Sequence, residues 1–144
     1  MRQLAGTILV ALVLVSDAPA GIYVEAVTPA KVQAGGLIRV RISAGLRLWE
    51  KVPLYVVPSA RALRPHPCGR DAVCEPKVPG PPTRGAYRRV ATVSFRVRRE
   101  QVMAVRVPLV PPGRYEIAFY CGPCYKGPGG SLISTPTAAF DVVR

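Results

Sequence analysis

The stretch "LIRVRIS" (Leu37 to Ser43) alternates strictly, with Ile38, Val40 and Ile42 on one side and Arg39 and Arg41 on the other. A period of two belongs to a strand with one dry face and one wet face. The alternation returns in "ATVSFRV" (Ala91 to Val97), where Val93, Phe95 and Val97 point inward and Ser94 and Arg96 outward. It returns in "MAVRVPLV" (Met103 to Val110) through Val105, Val107 and Leu109, and in "RYEIAFYC" (Arg114 to Cys121) through Tyr115, Ile117, Phe119 and Cys121. Weaker runs, "IYVEAV" (Ile22 to Val27), "PLYVV" (Pro53 to Val57) and "AAFDVV" (Ala138 to Val143), complete the set. No stretch beyond residue 20 sustains the helical period, and 13 glycines and 16 prolines punctuate the chain. Turns fall at Gly35-Gly36, Pro111-Pro112-Gly113 and Gly127-Pro128-Gly129-Gly130. About seven short strands at this spacing predict an all-β, antiparallel β-sandwich.

The first twenty residues follow a different plan. Arg2 supplies a positive start, Thr7 to Val15 form an apolar run, and Ala18-Pro19-Ala20 gives the small-x-small pattern of a signal-peptidase site. Residues 1–20 therefore read as a signal peptide, with cleavage after Ala20 and a mature chain that starts at Gly21. The alternative is a retained anchor, but the run falls short of the ~20 apolar residues that a permanent span requires. Arginines interrupt every later apolar stretch, so no permanent membrane span is expected. Residues 21–144 make one domain, secreted or held at the cell surface.

Net charge is +12, sixteen of the twenty basic residues are arginine, and the chain has no asparagine. Biased codon usage accounts for such a composition without any function. The functional reading is attraction to a polyanion, such as an anionic cell-wall polymer, or to an acidic protein. Export argues against nucleic acid as the partner.

Residues 58–86 stand apart as a long loop, rich in proline and basic residues and holding Cys68 and Cys74. The other two cysteines form the Cys-Gly-Pro-Cys of residues 121–124. A dithiol redox centre of this type needs a helix directly after the motif, to lower the thiol pKa. Here "YKGPGG" follows Cys124, and its glycines and proline form no helix. A zinc or copper site could draw on His66, Cys68, Cys74, Cys121 and Cys124. Exported cysteines in even number usually oxidise, so the leading expectation is two disulfides. The clusters suggest local pairing, Cys68 with Cys74 and Cys121 with Cys124; a bridge between clusters is the alternative.

Catalytic material is scarce. His66 is the only histidine, which leaves no credible Ser/His/acid arrangement, and the acids of residues 21–144 form no close pair on a pocket wall. No enzyme activity and no cofactor are expected. Arginine recurs instead on outward strand positions: Arg39 and Arg41, then Arg88, Arg89, Arg96, Arg98 and Arg99, then Arg106. Were these strands neighbours, the side chains would form one basic face for an anionic partner; as isolated positions they are wet faces that discourage edge-to-edge pairing. Tyr87, Tyr120 and Tyr125 could add stacking contacts, whereas Trp49 reads as a core anchor.

"LVPPGRYEIAFYC" (Leu109 to Cys121) resembles the corner between strands E and F of immunoglobulin-like domains, with Tyr115 as the corner tyrosine. The antibody pattern places its cysteine two residues after that tyrosine; Cys121 comes six residues after Tyr115, so no antibody-type bridge between sheets is implied. The tail and the N-terminal segment are similar to small exported immunoglobulin-like proteins of high-GC actinobacteria. The resemblance implies an immunoglobulin-like sandwich and an exported location, with no reaction. The expectation is an exported, non-catalytic surface or binding module, against the alternative of a dithiol redox or metal-binding secreted protein.

Overall fold

The computed structural model describes residues 22–44, 51–95, 100–122 and 128–144. The expectations for residues 1–20, Trp49, Arg96, Arg98, Arg99, Cys124 and Tyr125 lie outside these residues. The described chain is almost entirely β. Its strands are β1 (Ile22–Thr28), β2 (Lys31–Gln33), β3 (Leu37–Ala44), β4 (Val52–Pro58), β5 (His66–Pro67), β6 (Val73–Cys74), β7 (Lys77–Val78), β8 (Arg88–Val93), β9 (Glu100–Arg106), β10 (Gly113–Cys121) and β11 (Gly130–Val143). The sole helical element among them is a 3-10 turn at Ser59–Arg61. No described helix is long and apolar enough to cross a membrane.

One sheet has the order β1-β3-β9, antiparallel throughout. The other runs β2-β11-β10-β4-β8, antiparallel except where β2 lies parallel to β11, and β7 adds a short pairing to β11. Inward side chains of both sheets merge in one cluster: Ile38, Val40, Ile42 and Val105 from the first, Leu54, Val56, Ile117 and Phe140 from the second. Each alternating run of the sequence thus carries a strand, and four short strands (β2, β5, β6, β7) join them. Those four are two or three residues long, too short to show a period.

The turn from β2 to β3 shows why two glycines stand together. Gly35 has φ +79°, and a Cβ on Gly36 would lie 2.6 Å from Val32 Cγ2. The bare backbone there closes a turn from Gly36 N–H to the Gln33 carbonyl (2.9 Å) and exchanges hydrogen bonds with Val107, just beyond the β3–β9 ladder. At the opposite connection, the Tyr115 hydroxyl donates to the Pro111 carbonyl at 2.8 Å, and its ring stacks on Phe140 with centroids 6.2 Å apart.

Two expectations need correction. The alternation holds through the buried Val107 but ends there, because Pro108 cannot continue a ladder, and Leu109 is 88% exposed rather than inward. More importantly, β4 and β10 have no wet face at their centres. Tyr55, Val57, Ala118 and Leu132 point away from the main core yet are buried, covered by Ala62, Val78, Ala86 and Tyr87 of the long loop and its exit. Residues 58–86 therefore form a cover over the second sheet, anchored at several points. The Leu63 N–H donates to Tyr87 Oη (2.7 Å), the Leu132 N–H to the Pro76 carbonyl (3.0 Å), and β7 pairs with β11.

Candidate functional site

The firmest anchor of the cover is an ion pair that strand alternation did not reveal. Glu116 sits on β10, its side chain only 3% exposed, facing the loop. Arg64 reaches it with both terminal nitrogens, Nη1 to Oε2 at 2.7 Å and Nη2 to Oε1 at 2.6 Å. Nη2 also donates to the Ser59 carbonyl at 3.2 Å. This fork-on-carboxylate geometry is the strong form of the contact. Nearby, the Tyr55 ring meets Tyr87 edge-on at 6.2 Å, and the Tyr55 hydroxyl is buried without a hydrogen-bond partner. Burial lifts the Tyr55 phenol above the ordinary tyrosine range, against the opposing pull of the Arg89 charge.

The cysteines are oxidised wherever they are described. Cys68 and Cys74 form a disulfide across the β5–β6 hairpin, with Cα atoms 5.7 Å apart, one of the two local pairings expected. Cys121 is disulfide-bonded and 1% exposed, and it ends strand β10 opposite Ser131 of β11. Three sulfurs of the candidate set His66, Cys68, Cys74, Cys121 and Cys124 therefore present no thiolate in this state. Cys124 lies outside the described residues, and His66 is exposed on the same hairpin. Among the described residues, no three of His, Cys, Asp and Glu gather.

The described arginines are divided between the two sheets. Arg39, Arg41 and Arg106 share the outer surface of the first sheet: Arg106 is opposite Leu37, Arg39 opposite Ala104, and Arg41 opposite Val102. Arg88 and Arg89 lie on β8, at the edge of the other sheet, opposite Val56 and Tyr55. β8 and β9, consecutive in sequence, belong to different sheets, yet Arg89 and Arg106 line one hollow of about 530 Å³ with Val90 and Val107. Outward alternation marks exposure, not adjacency.

Their pairing differs as well. Arg41 stands 3.9 Å from Glu100, Arg106 donates to the Gly35 carbonyl at 2.7 Å, and Arg89 donates to Thr92 Oγ1 at 2.7 Å. The guanidinium groups of Arg39, Arg61, Arg70, Arg84 and Arg88 are exposed and have no partner among the described residues. The acids are largely engaged: Glu25 accepts from Ser43 (2.6 Å), Glu100 faces Arg41, Glu116 holds Arg64, and Asp141 lies 3.5 Å from Arg114. Of the six described acids only Asp71 and Glu75 lack such a contact, so the charge left over on the surface is mainly basic.

The surface carries several concavities. One, of about 200 Å³, lies at the end of the sandwich between Arg61, Arg88, Val110, Pro111 and Tyr115. Another, of about 450 Å³, runs between β1 and β11 beside Tyr23, Phe119 and Ser134. It opens where Pro136–Ala138 interrupt the register of β11 against β10. No protein-family model, curated protein or solved structure matches this chain.

Proposed function

We propose that this chain is an exported, non-catalytic immunoglobulin-like binding module that docks on an anionic polymer of the cell envelope. The observation that carries the reading is the surplus of exposed guanidinium groups. Arg39, Arg61, Arg70, Arg84 and Arg88 are spread over the surface without internal partners, while four acids are spent on internal contacts. Such a distribution raises the local concentration of polyanions and is sensitive to salt.

The immunoglobulin-like assignment draws support from strand order. With β1, β3 and β9 as A, B and E, and β4, β10 and β11 as C, F and G, the order of both sheets follows that arrangement, and β8 adds to C as C′. The Tyr115–Pro111 hydrogen bond has the form of the tyrosine corner at the start of strand F. Export draws support from the plan of residues 1–20 and from oxidised cysteines, which persist outside the reducing cytosol.

The test is co-sedimentation of the purified protein with cell-wall material, and with polygalacturonate beads beside uncharged dextran beads. Retention on the anionic materials and passage through dextran is the expected result. Equal retention on both, or on neither, removes the polymer reading.

A further inference from the structure

The leftover charge is not uniform, and one pair of arginines shares a concave surface. Arg88 opens β8 and lies opposite Val56, whose side chain belongs to the main core. Cross-strand partners share a face, so Arg88 leaves the sheet on the inner side. What lies opposite there is the connection between β9 and β10, through Val110 and Pro111, and not a strand. Arg61 enters the same hollow from the 3-10 turn that follows β4. Neither guanidinium has a partner among the described residues, and no Asp or Glu lines the hollow.

The floor is apolar and held in place. Val56 is buried in the main core, and Tyr115 is fixed by its hydrogen bond to Pro111 and its stacking on Phe140. The volume, about 200 Å³, is below the roughly 300–1,000 Å³ of sites that enclose whole drug-sized ligands. At ~30 Å³ per liquid water, it admits one small ring or a short chain. Two like charges over an apolar floor repel each other, and an oxyanion between them relieves that repulsion while forming fork-type hydrogen bonds.

We infer that Arg61 and Arg88 form an oxyanion clamp for one small organic carboxylate, its carbon body resting on Val110, Pro111 and Tyr115. The acid is either free or the side group of an acidic polymer, such as a uronic acid residue. The inference rests in part on the anionic-polymer reading, because a polymer would present many such groups, but the clamp has its own readout.

The experiment titrates the full-length secreted protein with galacturonate, with galactose and with polygalacturonate, following backbone amide resonances by NMR. Arg61→Gln and Arg88→Gln are the test variants, and Arg39→Gln, on the other sheet, is the control. Galacturonate should shift the Gly85, Ala86 and Tyr115 amides, and galactose should leave them unmoved. Each test variant should weaken galacturonate binding by about tenfold, the loss of one charge-assisted contact, and the control should not. Unmoved Gly85 and Ala86 amides, an equal response to galactose, or undiminished binding by both test variants overturns the clamp. Polygalacturonate bound equally by wild type and test variants overturns the clamp and leaves the polymer reading standing. Galacturonate seated in the hollow with no polymer bound supports a site for the free acid and removes the polymer reading.

Discussion

Removing Arg64 tests how the long loop is held. In Arg64→Ala, the Glu116 carboxylate, 3% exposed, loses both of its short guanidinium contacts, and the Ser59 carbonyl loses a third. Breaking a fully buried ion pair by deleting one partner costs about 3–5 kcal/mol. Here the Arg64 side chain is 43% exposed, so water enters the vacated position and the loss shrinks. The expected cost is about 2 kcal/mol, within the range for a hydrogen bond to a charged group. For a domain of this length that lowers Tm by roughly 6–8 °C. Urea unfolding followed by far-UV circular dichroism gives the number directly. The double variant Arg64→Ala/Glu116→Leu, which removes the stranded charge, should recover at least ~1 kcal/mol of the loss. A single-variant cost below ~0.5 kcal/mol, the level of an ordinary surface substitution, with no recovery in the double variant, would refute the claim that this pair anchors the cover.

The other predictions concern single groups. Tyr115→Phe deletes the hydrogen bond to Pro111 while keeping the ring, and should cost about 1 kcal/mol in the same urea assay. Tyr55→Phe removes a buried hydroxyl without a partner, so stability near pH 7 should be unchanged or slightly higher. The same variant should flatten the alkaline limb of the stability profile. The folded Tyr55 holds its proton above the usual pKa of 10, so wild-type stability is fully present below pH 10 and falls as pH rises past it, the unfolded phenol ionising first. Replacing Cys68 and Cys74 with serine opens a loop with a sequence separation of 6. That should cost about 2 kcal/mol at most, with binding to anionic polymer retained.

Much of the sandwich was legible because strand alternation is a local property. Ile38, Val40 and Ile42, and likewise Tyr115, Ile117 and Phe119, point inward as their spacing requires. The turn into β10 was readable from Pro111-Pro112-Gly113. The cover was not readable. Glu116 and Ala118 occupy outward positions on β10, and nothing local says that residues 58–86 return to bury them. A glutamate amid an otherwise apolar strand was the available hint, since such a charge needs a partner when its strand is central. The grouping of the arginines was hard to read for a related reason. Strand exposure is encoded locally, but the assignment of β8 and β9 to different sheets depends on long-range pairing. Arg61 and Arg88, 27 positions apart, meet at one hollow only through that topology.

If unpartnered arginine charge binds the protein to an anionic envelope polymer, as proposed, that binding must depend on salt. Raising ionic strength from 0.01 M to 0.15 M shortens the screening length from about 30 Å to about 8 Å. Binding of the purified protein to cell-wall material or polygalacturonate should fall steeply over this interval. A combined Arg39→Gln/Arg61→Gln/Arg88→Gln variant should show both weaker binding and a shallower salt dependence. Tight binding that ignores salt and survives the triple substitution would rule out arginine-driven docking.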